Sequence, residues 1–450
     1  MAGRLVVIGG DAAGMSASAQ ARRRRGDLEI VALEKGRWTS YSACGIPYLV
    51  GGDVDDVDDL VVRSPQAFRD SLNIDVRTRH EVTAVDLEAG RVEVRDHVHG
   101  RTYGLGYDAL LVATGAVPYR PDLPGISGPQ IHGVQDLEDA SRLLAGLDDN
   151  GPEDVVVVGG GYIGLEMAEA FVRRGCPRVT VVERAAEVMG TLDPDMGALV
   201  GDAMRRFGIG VRTEVEVTAF SPGTVHTTDG DLPAGLVVLG MGVVANSGLG
   251  AEAGLETGEK GGVVVDRRQA TSAEGVWAAG DCCLSYHLVA RRPVHLPLGT
   301  VANKQGRVAG VNIGGGYATF GGVVGTAVTR ICTTEVARTG LNQREATRAG
   351  IGWEAVRVTS STRAAYLAGG GEIVVKMLAE RGSGRLLGAQ LVGQEGAAKR
   401  IDVVATAITA GLTVEEIIDL DLSYAPPFSP VWDPVQVAAR QAAKAVAAAR

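Results

Sequence analysis

Apolar residues in this chain come in short unbroken runs bounded by glycine, the pattern of strands buried on both faces of a parallel sheet. Residues 4–34 read RLVVIGGDAAGMSASAQARRRR and then LEIVALE. That is an apolar strand, a Gly-rich turn, a helix, and a second strand ending in an acid. Residues 154–183 repeat the plan as DVVVVGGGYIGLEMAEAFVRRG followed by RVTVVE. Strand–turn–helix–strand units of this kind build parallel sheets through right-handed crossovers. Two of them, about 150 residues apart, predict two separate α/β units and not one long sheet.

The remaining pattern fills in around these units. LLVATGAVP (Leu110 to Pro118) reads as a strand running into a turn, and TSAEGVWAAGDC (Thr271 to Cys282) as a short strand ending in Gly-Asp. From about Phe320 the character changes. EIVVKML (Glu372 to Leu378) and LLGAQLVG (Leu386 to Gly393) predict antiparallel strands. A helix follows around Lys399 to Ala410, then an Ala-rich helix from Val435 to Ala449. This last third is an α+β module with its own core.

Composition narrows the function classes. The 450 residues are 45% hydrophobic and 22% charged, so several globular cores are affordable. Glycine is abundant at 63 residues, which predicts many tight turns and close backbone approaches. Against 54 acidic side chains stand 44 basic ones, a net charge of −10 that argues against binding nucleic acid or an anionic membrane surface. A long uncharged stretch, Leu232 to Ala251, holds Pro233 and Asn246 and reads as strand and turn, not as a membrane span. Strand-like sequence begins at Arg4 with no secretory h-region before it. Cys44, Cys176, Cys282, Cys283 and Cys332 have neither a disulfide framework nor zinc-site spacing, which fits a reducing cytoplasm and no metal.

Both Gly-rich turns read as phosphate cradles. Gly159, Gly161 and Gly164 match G-x-G-x-x-G between a strand and a helix, so free amides and the positive helix end face a pyrophosphate. Glu183, 19 residues after Gly164, is placed to accept from a ribose 2′-hydroxyl and to repel a 2′-phosphate. NADH is therefore expected over NADPH, with Arg184 next door keeping NADPH open. The first turn departs from the pattern: Gly9 and Gly14 are in place, but Asp11 takes the second glycine's position, followed by Ala12 and Ala13. Glu34, 20 residues after Gly14, restores the ribose reading.

Taken in order, Gly9…Gly14…Glu34, the ATG at Ala113 to Gly115, Gly159-x-Gly161-x-x-Gly164 and the AAGD at Ala278 to Asp281 resemble the FAD-dependent pyridine nucleotide–disulfide oxidoreductases over essentially the whole chain. The resemblance implies an FAD-binding domain from residues 1–117 and 247–320, with an NAD(P)H-binding domain at 118–246 inserted in it. Residues 321–450 would then form the dimer interface. It further implies that Ala12, Ala13, Thr114, Gly115, Gly280 and Asp281 meet FAD, Asp281 at the ribityl chain. Ile163 and Gly242 would join the second cradle around the nicotinamide nucleotide.

The family's dithiol members carry two cysteines four residues apart; here SYSACGIPYLVGG holds Cys44 alone. Cys44 is read as starting a helix, whose positive end would favour thiolate. A single thiol must cycle through a mixed disulfide, a sulfenic acid or a persulfide. Ser40-x-x-x-Cys44-Gly-x-Pro47-Tyr48 resembles the coenzyme A–disulfide reductase branch, near the NADH oxidases and peroxidases. Peroxidases of this type carry a histidine where this chain has Ala12, which disfavours that activity. Tyr424, in LSYAPPFSPVWDP, and Tyr366, in STRAAYLAGG, resemble the branch's two tyrosines, which reach the partner subunit's cysteine. Asn303 would lie near the flavin and the cysteine, and Ser40 would orient a bound disulfide. For Arg22, in the basic run that ends the first helix, electrostatic capping is the default role and contact with coenzyme A phosphate the alternative.

These readings converge on a homodimeric, cytoplasmic enzyme that passes electrons from NADH through FAD to Cys44 and reduces a small disulfide, coenzyme A disulfide above others. Three alternatives stay open. One is an NADH oxidase cycling through Cys44 sulfenic acid. Another is a persulfide or polysulfide reductase, whose relatives often carry a C-terminal sulfurtransferase domain not seen here. The third is a non-catalytic flavin- and NADH-binding redox sensor.

Overall fold

The computed structural model describes residues 3–449. Its first sheet is parallel and five-stranded, in the order Val276–Ala278, Ala109–Val112, Arg4–Ile8, Glu29–Glu34, Asp75–Thr78. The second is parallel as well, in the order Gly210–Arg212, Arg178–Val182, Asp154–Val158, Leu236–Leu239, Ile131–His132. In each, the central strand carries the Gly-rich turn and is apolar because both its faces are covered: Leu5, Val6, Val7, Val155, Val156 and Val157 are all buried. A three-stranded antiparallel sheet accompanies each, His80–Asp86 with Arg91–Asp96 and Arg101–Gly106, and Val217–Ser221 with Thr224–Thr227 and Gly230–Pro233. The echo in sequence is an echo in topology.

The second unit is spliced into the first through a narrow neck. The chain leaves by strand Ala116–Pro118 and returns by Val243–Ala245, which pair antiparallel with Ala116 opposite Ala245. Asn246 closes the neck: its N–H donates to Gly115 O at 2.9 Å and its Nδ2 to Thr114 O at 3.1 Å. The Thr114 hydroxyl donates back to Asn246 O.

The C-terminal sheet is antiparallel, in the order Ala327–Ile331, Thr334–Gly340, Leu386–Gly393, Glu372–Glu380, Trp353–Ser361. Helices Ile401–Ala410 and Pro434–Ala448 belong to the same module. The second buries Val435, Ala438, Ala439, Ala442 and Val446, a stripe at helical spacing in which small residues let helix and sheet approach.

Two contacts fix the architecture, one within the first unit and one between the second unit and the C-terminal module. Helix Ala12–Arg24, at the first turn, lies on helix Gly299–Ile313 with almost no side chain between them. A Cβ on Gly306 would stand 2.3 Å from Ala13 O, and one on Gly310 2.3 Å from Ala17 O. The other contact is polar. Buried Lys376 of the C-terminal sheet reaches Asp195 at 2.6 Å and Asp193 at 3.1 Å in the second unit, and Gln390 Nε2 donates to Asp193 at 2.8 Å. Arg338 donates to Thr191 O at 2.6 Å while paired with Glu345 at 2.7 Å. Such a network keeps every buried charge partnered.

Replacing Gly310 with Ala should push the two helices apart and lower stability by about 1–3 kcal/mol, the usual penalty of overpacking. Gly248→Ala, where an added Cβ meets nothing within 4 Å, should be near neutral. Urea melts of the two variants beside wild type check this.

Candidate active site

The two cradles are built alike. Gly9 has φ +107° and Gly159 has φ +106°, conformations that suit glycine alone. A Cβ on Gly14 would sit 2.0 Å from Gly9 O, and one on Gly164 2.0 Å from Gly159 O, so each helix starts flush against the turn. Gly161 differs: an added Cβ would approach only Gly240 O, at 4.0 Å. Packing within the chain does not demand glycine there, which is what a position facing a ligand backbone looks like. Glu34 Oε2 accepts from Gly10 N at 2.8 Å and its Oε1 from Gly36 N at 2.8 Å. Glu183 does the same with Gly160 N and Ala185 N, both at 2.7 Å. Arg184 is exposed beside it. Ile163 is exposed at the helix start, and Gly242 takes φ +88° with its carbonyl accepting from Tyr119 N at 2.8 Å.

Gly280, at φ +89°, packs so closely on the first helix that a Cβ would lie 2.9 Å from Ala13 Cβ. Next to it, Asp281 holds a buried Oδ1 with no hydrogen-bond partner. An orphaned carboxylate oxygen is costly, and burial raises its pKa. Hydroxyls of a bound dinucleotide would satisfy it, so the residues present fit FAD. Asp11 shares the region: burial raises its carboxyl to about 6, with Glu34 and Asp281 adding to the rise.

Cys44 lies in a single 3₁₀ turn, Ala43–Gly45, that leads into the helix Ile46–Gly51. It is exposed, whereas Cys282, Cys283 and Cys332 are buried and Cys176 is half-buried. Gly45 lets the turn seat on Leu60, whose Cδ2 would be 2.3 Å from an added Cβ. The expectation of a thiolate favoured by the helix end needs correction. Burial raises the thiol's pKa, and Glu166, Asp281 and Asp11 raise it further. A helix of six residues is too short for its dipole to offset three carboxylates.

Beside the Cys44 segment lie Tyr48, already part of its motif, and Glu166, which motif reading did not single out. Glu166 comes from the helix of the second cradle, Tyr162–Arg173, and accepts from Thr329 Oγ1 at 2.5 Å. With Glu169, Arg173, Arg330, Pro47 and Tyr48 it lines a small cleft one helical turn beyond Cys44. Burial raises Glu166, and burial together with Glu166 raises the Tyr48 phenol. The signal available in the sequence was the acid two residues after Gly164.

Ser40 sits in the left-handed region at φ 51°, a strained place for a side-chain-bearing residue. Its N–H donates to Gly10 O at 3.0 Å, fixing the Cys44 segment on the first turn. Asn303 accepts from Ser16 Oγ at 2.6 Å and donates to Gly299 O at 3.0 Å. Arg22 donates to Gly26 O at 2.6 Å, Arg25 O at 3.4 Å and Asn73 O at 2.9 Å through its terminal nitrogens, while its buried Nε has no partner. Arg23 beside it is exposed.

The C-terminal module brings the two predicted tyrosines together. Tyr366 and Tyr424 are neighbours, desolvation and Tyr424 together raising the Tyr366 phenol, and both are exposed, at 75% and 47%. Arg400 holds their loops, donating to Thr362 O at 2.9 Å and Phe428 O at 2.7 Å, and Ala364 N donates to Pro426 O at 3.0 Å. Phe428, Val431 and Trp432 extend the exposed apolar patch.

Comparison with known proteins is consistent with this geometry. Residues 3–306 match the family model of pyridine nucleotide-disulphide oxidoreductases, and residues 326–434 match that family's dimerisation domain. A Pyrococcus furiosus protein named NAD(P)H sulfur oxidoreductase (CoA-dependent) is 36% identical over 97% of this chain and 98% of its own length. The crystal structure of reduced Bacillus anthracis CoADR-RHD superposes with a TM-score of 0.97 at 33% identity, covering 100% of this chain and 81% of that one. A NAD-dependent persulfide reductase from A. fulgidus gives 0.95 at 39% identity, covering 98% and 83%. Among the described residues no helix is long and apolar enough to cross a membrane.

Asp281→Ala should have effects of opposite sign. The ionised carboxylate is disfavoured in the folded chain, so its removal should raise the melting temperature of cofactor-free protein at neutral pH. That gain should fade as pH falls through the carboxyl's folded-state titration. Flavin retention on dilution should drop roughly tenfold with the lost acceptor.

Proposed function

Because the chain belongs to the pyridine nucleotide-disulphide oxidoreductases, FAD-dependent enzymes that draw on NAD(P)H, we propose that it reduces the S–S bond of a low-molecular-weight disulfide at Cys44, coenzyme A disulfide first. The observation that carries this reading is one exposed cysteine within the influence of both Asp281, beside the first cradle, and Glu166, on the helix of the second.

Residues 1–117 and 247–320 are assigned to FAD, with Gly9, Ala12, Ala13 and Gly14 at the pyrophosphate. Glu34 would serve its ribose, and Thr114, Gly115, Gly280 and Asp281 the rest of the molecule. Residues 118–246 are assigned to NAD(P)H through Gly159, Gly161, Ile163, Gly164, Glu183 and Gly242, and residues 321–450 to dimerisation. FAD, when bound, supplies the two-electron relay between NAD(P)H and sulfur. Cys44 thiolate attacks one sulfur of RSSR, forming the Cys44–S–S–R mixed disulfide and expelling RS⁻. Two electrons and a proton then cleave that bond to RSH and Cys44 thiolate. Tyr424 of the partner subunit, with Tyr366 of the partner subunit beside it, is assigned as the proton donor to the departing sulfur. Ser40 and Asn303 flank the disulfide. Phosphate contact is assigned to Arg22 as the alternative to its capping role, with exposed Arg23 beside it. Five free thiols support a reducing, cytoplasmic setting.

The S–S bond of a persulfide is the second reading. It is supported by the names of the A. fulgidus and P. furiosus relatives.

NADH consumption without oxygen, with coenzyme A disulfide, should be rapid in wild type and at least about 10³-fold slower in Cys44→Ser. Turnover with a persulfide and none with the disulfide would install the second reading; turnover only with air would install oxygen as acceptor. Glu183→Ala should narrow the NADH over NADPH preference in kcat/KM roughly tenfold, by removing the repulsion of a 2′-phosphate.

A further inference from the structure

Asp11 stands where the first cradle would otherwise carry its second glycine, and the structure gives it work that no glycine could do. It is the N-cap residue of helix Ala12–Arg24, yet its side chain makes no capping hydrogen bond. Its Oδ1 instead accepts from Tyr41 N at 3.3 Å, across to the segment that leads to Cys44. Next to it, Gly10 O takes Ser40 N at 3.0 Å and the Thr39 hydroxyl. Three consecutive residues, Thr39, Ser40 and Tyr41, are therefore pinned to Gly10 and Asp11. The pinning holds Ser40 at φ 51°, a conformation an unrestrained serine would leave.

The groups facing this carboxylate are also mostly acidic. Glu34 faces it from the end of the second strand, and Asp281 from the return segment. Among the basic groups, Lys35 acts on Glu34, and His295, whose Nε2 meets Asp281 O at 2.8 Å, acts on Asp281. Asp11, Asp281 and Glu166, one from each of three elements, act together on Cys44.

Resting on the assignment of Cys44 as the redox centre, we propose that Asp11 is a positioning residue for Cys44: it fastens the Thr39–Cys44 segment to the cofactor turn through the Tyr41 N–H, and its negative charge opposes thiolate formation at Cys44. Fastening and charge are separable by substitution. Asn at position 11 keeps an oxygen for Tyr41 N–H and drops the charge. Gly drops both, and as the ordinary residue of the fingerprint it leaves the cradle able to fold and hold FAD.

The test uses reduced holoenzyme of wild type, Asp11→Asn and Asp11→Gly. Alkylation of the Cys44 peptide by iodoacetamide is followed against pH by mass spectrometry, and hydrogen exchange at the Tyr41 amide is followed in parallel. Both variants should shift the alkylation midpoint to lower pH, giving roughly three- to tenfold more thiolate at a given pH below it. Tyr41 exchange should stay near wild type in Asp11→Asn and quicken about three- to tenfold in Asp11→Gly. An unchanged midpoint in both variants overturns the charge role, and unchanged Tyr41 exchange in Asp11→Gly overturns the fastening. A Cys44→Ser enzyme that kept full disulfide reductase activity would instead overturn the reading of Cys44. The Asp11 measurements would be unaffected by that result, since they follow the thiol and not turnover.

Discussion

Backbone pressed directly on backbone is the constraint from which the rest of the molecule follows. At both cradles the third glycine lies on the carbonyl of the first with no room for a side chain, so helix and strand ends meet at one point. The first-turn amides and the positive helix end then converge on a space that phosphate oxygens fit. At Gly306 and Gly310 the same economy brings a second helix against the first, setting Asn303 beside Ser16. Distances in the site are inherited from these contacts and not from flexible side chains.

Charge works against that geometry and shapes the chemistry. The walls of a site meant for anionic ligands carry Asp11, Glu34, Asp281 and Glu166, all raised in pKa chiefly by burial. Glu34 and Glu183 are tolerated because two backbone amides each hold them in place. Asp281 is tolerated with one oxygen unsatisfied, a polar group awaiting a partner from outside the chain. The same acidity keeps the Cys44 thiol protonated more readily than its place before a helix would suggest.

Much of this architecture could be read from the chain. The Val runs at 154–158 and the apolar strand at 4–8 announce their central, doubly covered positions, and the Ala-rich end announces a tightly packed helix. The internal repeat gave away both cradles. Harder to read were effects that depend on what meets what. No local pattern tells that Glu166 and Asp281 lie near enough to Cys44 to raise its thiol, because they come from segments more than 100 residues away. Arg22 and Arg23 are neighbours of the same type, and only the fold tells that the first donates to the Gly26 and Asn73 carbonyls and the second to Gln20. Arg400 had no motif at all, yet it holds both tyrosine loops.

The paired strands at the neck carry a consequence for how such proteins diversify. Because residues 116–118 and 243–245 run side by side, the stretch between them behaves as a cassette with adjoining ends. On the assignment of residues 118–246 to NAD(P)H, exchanging it between relatives would move the electron-donor site together with Glu166, which acts on the Cys44 thiol. The graft must match its contacts with the rest of the chain, among them Glu166 with the Thr329 hydroxyl and Glu169 with the Cys332 N–H. A donor cassette must bring carboxylates matching Asp193 and Asp195, or Lys376 is left as a buried cation without a counterion. Donor preference is thereby heritable as a module, and the C-terminal sheet polices which modules are accepted.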